Sequence, residues 1–171
     1  MGALKTTSSP IQIGFSLREF AANTFIEGRV DLQLNPLDQE VFVVQAIDLD
    51  PNEPEAIAAT NTSVSASVSS TSLQLTAAPG TLSQSQVLAT SRHSIRSANA
   101  TSAVSFDTGF GDTPSANLEY IGILATNDFF IQIQGANNTT PKEVFGKLYG
   151  YRARADAATY AALVQSEVLS S

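Results

Sequence analysis

Apolar residues recur at every second position in about eight short segments of this chain, with turn signals between them, and this pattern constrains the fold more than any other feature. Successive side chains of an extended strand leave on opposite faces, so a period of two makes a strand with one dry and one wet face. The clearest run is Phe129-Phe130-Ile131-Gln132-Ile133-Gln134, with Phe129, Ile131 and Ile133 expected on the dry face and Gln132 and Gln134 on the wet one. Sheets that are wet on one side are characteristically antiparallel.

The same reading extends along the chain. Residues 1–10 form an arm that ends at Pro10, and Ile11-Gln12-Ile13-Gly14-Phe15 is a short strand. Glu27 to Leu34 alternates, with Val30, Leu32 and Leu34 inward, before the turn Asn35-Pro36-Leu37-Asp38. Glu40 to Leu49 carries apolar residues on both parities, which predicts a central strand buried on both faces or one tilted between two sheets. The acidic, proline-stiffened segment Asp48 to Glu55 is a loop. Ten of the seventeen residues from Thr60 to Thr76 are Ser or Thr. Val64, Ala66, Val68, Leu73 and Leu75 still alternate, so this stretch reads as a strand whose small polar face can lie against another subunit. Gln84 to Ile95 and Ala103 to Phe106 are further strands, and Thr108 to Pro114 is an irregular loop. Leu118 to Ala125 and Phe129 to Gln134 are expected to form a hairpin around Thr126-Asn127-Asp128, and Lys142 to Ala153 is the last strand. The period then changes. Asp156 can cap a helix from Ala157 to about Leu169, with Tyr160, Leu163, Val164 and Val168 on one apolar face.

At 171 residues with 43% hydrophobic content, the chain can build one sizeable core. Nine basic against sixteen acidic residues give a net charge of −7, which disfavours general attraction to nucleic acid. Charged residues are 15% of the chain, against about 25% in ordinary soluble domains. Ser, Thr, Asn and Gln fill the polar positions instead, as suits surfaces covered by neighbours. The absence of cysteine excludes disulfides and thiolate zinc sites. No apolar stretch resembles a signal peptide or a membrane helix, so synthesis in a cytoplasm is expected.

Candidate chemical motifs are thin. Asp48, Asp50 and Asn52 match the first half of a calcium-binding loop, but Glu53 replaces the required Gly and Ala59 the bidentate Glu. His93 is the single histidine, and a triad would need both a nucleophile and a carboxylate brought to it. Gly109-Phe110-Gly111 lacks the Lys-Ser/Thr and helix of a phosphate loop. Lys142, Lys147, Arg152 and Arg154 form a candidate basic contact strand. Without tryptophan, an aromatic sugar platform is poorly supplied. Neither an enzyme nor a cofactor or metal site is expected.

About eight strands with long connections and one terminal helix fit an all-β, antiparallel sandwich of jelly-roll type, lacking the Cys and Trp pattern of an immunoglobulin domain. The expected divisions are an arm at 1–10, the sandwich at 11–155, and the helix and tail at 156–171. In length, N-terminal arm, absence of cysteine, Ser/Thr/Asn/Gln-rich strands and the closing pattern Leu118 to Ala153, the chain resembles the single jelly-roll capsid proteins of tailless icosahedral viruses of bacteria and archaea, particularly those standing upright over an internal membrane. That resemblance implies a shell-forming subunit of a virion whose partners are its own copies and other capsid subunits, with contact to an internal membrane or lipid and no sequence-specific nucleic acid. Ile11, Ile13, Tyr160, Leu163, Val164 and Val168 are the candidate subunit contacts. A virus decoration, spike or tail-fibre module and a carbohydrate-binding sandwich are the alternatives.

Overall fold

A computed structural model describes residues 4–109 and 118–170. Among these residues, ten strands form two five-stranded, wholly antiparallel sheets, followed by one α-helix. The strands are β1 (Leu4–Thr6), β2 (Ile11–Arg18), β3 (Ile26–Asp31), β4 (Glu40–Pro51), β5 (Thr62–Ser69), β6 (Val87–Asn99), β7 (Ser102–Gly109), β8 (Gly122–Leu124), β9 (Asp128–Ala136) and β10 (Glu143–Ala155), and α1 spans Ala157–Ser170. The first sheet has the order β2-β10-β4-β8, with β1 continuing the β2 edge along β10; the second has the order β3-β9-β5-β6-β7. Most connections cross from one sheet to the other, and β9 and β10 each insert between two earlier strands, β3 and β5 or β2 and β4. This is the jelly-roll arrangement, with β7 as an extra strand on the second sheet.

The core lies between the sheets. Ile26, Phe42, Val44, Ile47, Val64, Ala66, Val68, Leu124, Phe129, Ile131, Ile133, Val144 and Leu148 are buried there. The Phe15 ring crosses the gap to meet Phe129 edge to face, with centroids 5.7 Å apart. It can do so because Gly146 lies beneath it: a Cβ there would stand 2.3 Å from the ring.

β4 shows why apolar residues fall on both parities. Phe42 and Val44 face the main core, whereas Val41 and Val43 face outward into a second cluster with Ala125, Ala153 and Ala155. A bulge then inserts Gln45 opposite the Tyr149/Gly150 step of β10, so that Ile47 returns to the core on the other parity.

Several expectations are corrected. Leu4–Thr6, read as arm, is paired in register with Ala153–Ala155. The Thr60–Thr76 segment ends as a strand at Ser69; Leu73 is buried in a turn and Leu75 is exposed. β8 and β9 are not a hairpin, because β8 pairs with β4 in the first sheet and β9 with β3 and β5 in the second. The corner between them is held by other elements. The Asn127 carbonyl accepts the Leu32 N–H, its side chain accepts the Leu34 N–H, and Glu167 of α1 accepts the N–H groups of Ala125 and Thr126. Gln132 is fully buried although its parity is that of the outer face.

Candidate assembly surfaces

The residues expected to contact neighbouring subunits lie mostly within the chain's own packing. Ile11 and Ile13 alternate inward along β2 with Phe15 and Leu17 and pack against the main core. Tyr160, Leu163 and Val164 lie against the second cluster on the outer face of the first sheet. The apolar helical face therefore covers Val41, Val43, Ala153 and Ala155, whereas Val168 is exposed. The helix begins as its sequence directs: the Asp156 carboxylate accepts the Thr159 N–H at 2.7 Å, and this bond lowers its pKa.

The four basic residues do not form one surface. Lys142 is buried, and strand alternation sets Lys147 on the opposite face of β10 from Arg152 and Arg154. Arg152 is taken up by Glu40 at 2.7 Å and by the carbonyls of Leu32 and Gln33; Arg154 stands 3.7 Å from Asp38.

What organises the loops is a set of carboxylates that the sequence reading did not single out. Buried Glu19 accepts backbone N–H groups from Thr24, Gly135 and Lys142, joining the β2–β3 and β9–β10 connections. Glu55 accepts the N–H and hydroxyl groups of Thr139 and Thr140, and the Thr139 bonds hold its pKa below the ordinary value. Glu27 accepts the Ser72 hydroxyl, the Leu73 N–H and the Gln132 amide. Gln132 also accepts from Ser67 and donates to Ser69, and the Gly80 N–H closes the network on Ser67. The small polar face of β5 is thus covered at this end by the chain's own residues 70–86, correcting the expectation of a neighbour there. Glu167 was legible in principle: it falls three and four residues after Val164 and Leu163 on the apolar helix face, where a carboxylate needs donors.

Asp48 and Asp50 lie on β4 rather than in a loop, and the Asn52 side chain accepts the Glu143 N–H. His93 Nδ1 stands 2.6 Å from Asp107 on the neighbouring β7. Ser94 and Ser105 line a cavity of about 380 Å³ beside this pair, together with Asp50, Glu53 and the intervening Pro51. Among the described residues no hydroxyl bonds to His93, so a triad's nucleophile is not assembled here.

No family model matches the chain, and no curated protein sequence does. Among solved structures, a chain described as Desmodium yellow mottle tymovirus aligns over 89% of this chain and 87% of that one, at 11% identity and a TM-score of 0.26. So loose a superposition carries no argument; the jelly-roll assignment stands on strand order.

Proposed function

We propose that the chain is a structural subunit that builds a viral shell, with its own copies and other shell subunits as partners and the virion as its place of action. The observation that supports this reading is the pairing of a jelly-roll frame with loop tips that end in bare apolar side chains: Phe20 after β2, Leu37 after β3 and Leu75 after β5 are 89%, 92% and 102% exposed. Burying a side chain of this kind is worth roughly 1.5–3 kcal/mol. The loops that carry these residues are fixed by Glu19, by the Asn35 turn cap and by Glu27, so little ordering entropy opposes contact. A rigid frame presenting apolar tips at separate points suits a tile with several neighbours.

The test is the assembly state of the purified full-length chain at high concentration, measured by light scattering and negative-stain microscopy. Regular oligomers or closed particles are expected. Changing Phe20, Leu37 and Leu75 to Ser should reduce assembly while leaving the monomer's melting temperature in place. An unaltered full-length chain that stays monomeric overturns the reading, and so does assembly that the three changes leave untouched.

A further inference from the structure

Among the described residues the edge of the second sheet opposite β3 is β7, and every side chain described on it, from Ser102 to Thr108, is exposed. An edge strand offers a row of unpaired backbone N–H and C=O groups, and folded proteins usually blunt it with charged side chains, Pro or a bulge. From Ala103 to Thr108 the strand has no Pro and no Lys, its one charge, Asp107, is taken by His93, and the ladder is irregular only near its start, at Ser97/Asn99.

Its two faces differ in charge. On the face shared with the core, Asp107 is paired with His93. On the outer face, register sets Arg92 beside Thr108, Ser94 beside Phe106 and Arg96 beside Val104. Val104 and Phe106 are 58% and 53% exposed, and neither arginine makes an ion pair among the described residues. Two uncompensated guanidinium groups flanking an apolar pair are unusual on a chain of net charge −7.

We propose that β7 accepts an extended acidic segment of another protein chain as a sixth strand, with the pattern acid-x-apolar-x-acid. The pattern follows from the register. A strand added beside β7 places alternate side chains opposite Thr108, Phe106 and Val104, so the middle one covers the Phe106 ring. The two outer ones point toward Arg92 and Arg96 across two strand spacings, about 10 Å, which an arginine and a glutamate reaching toward each other span. This chain has no such segment within its described strands, and the inference stands whether or not the protein forms a shell.

The probe is a fluorescein-labelled heptapeptide, Thr-Glu-Thr-Val-Thr-Glu-Thr, titrated with the full-length protein by fluorescence anisotropy at low salt. It should bind about tenfold more tightly than the same peptide with both glutamates replaced by lysine, and the Arg92→Glu/Arg96→Glu variant should invert that preference. Because both arginines are exposed, the variant's unchanged melting temperature serves as the folding control. N-methylating the peptide's alternate amides should abolish binding for one of the two sets only, since one set faces β7. Equal binding of the two peptides, no binding up to millimolar protein, or indifference to both methylated sets overturns the proposal. So does self-association of the peptide-free protein that Val104→Lys removes, because it gives the edge to a second copy.

Discussion

On the first sheet the outer ends of β4 and β10 are covered by α1, through Val41, Val43, Ala153 and Ala155. On the second sheet part of the outer face lies under residues 70–86, through Gln132, Ser67, Ser69 and Glu27. Both coverings exclude water, but by different physics. The helix contributes apolar area, which is non-directional and tolerant of small shifts. The loop satisfies buried polar groups, which contribute little when paired and cost a great deal when one member is lost. The polar cover should therefore be the more brittle of the two.

The largest effect removes the support common to both. Ile131 is buried in the main core next to Gln132, and Ile131→Asp places an unpaired charge there; the expected result is insoluble protein without a cooperative melt. Gln132→Leu tests the polar cover alone. It leaves Glu27, Ser67 and Ser69 short of partners, at a cost of about 2–4 kcal/mol. That corresponds to a fall in Tm of roughly 5–15 °C. Adding Ser67→Ala and Ser69→Ala should recover part of the loss, and a further fall would show that the network is not the cause. Changing Leu163 and Val164 to Ser tests the apolar cover. Both are only partly buried, so about 1–3 kcal/mol is expected, with hydrogen-exchange protection lost over Ala157–Ser170 and kept in the sheets. Loss of protection in β4 and β10 as well would mean that the helix holds the sandwich together.

The smallest effect is the response to acid. The folded-state pKa of Glu55 lies below its ordinary 4.5 because of Thr139. Its contribution is present above pH 4.5 and is lost as pH falls from there through the lowered folded value. Asp156 follows the same sign from its own ordinary 3.8. A plot of Tm against pH should therefore drop below pH 4.5, and Glu55→Gln should make the drop shallower. An unchanged slope would remove Glu55 from the account.

The strands were readable because alternation is a local property: β2, β9 and β10 follow directly from their own residues. Double-sided burial of β4 was readable too, from Val41 to Val44, although neither the bulge at Gln45 nor the helix that covers Val41 and Val43 could be named. Strand partners were not readable. Nothing between Leu118 and Gln134 distinguishes a hairpin from a corner that crosses between sheets, because the groups that hold the corner, Leu32, Leu34 and Glu167, lie far away in sequence. The misplacement of Gln132 has the same origin, since its partners stand 63, 65 and 105 positions away. The four basic residues formed a group on paper although parity alone sets Lys147 apart from Arg152 and Arg154; what a linear sequence does not record is that Lys142 is buried and that Glu40 and Asp38 stand beside the two arginines.

The strand order also sets a timetable for synthesis. β9 lies between β3 and β5, and β10 between β2 and β4, so each sheet has a gap in its middle until the last of its strands leaves the ribosome. A nascent chain that stops before Asp128 has edges facing a missing neighbour and no central strand to join them, and its contacts must wait for partners of high sequence separation. Folding should therefore begin only after most of the chain is made, and a chain truncated before Glu143 should remain a chaperone client rather than a smaller domain.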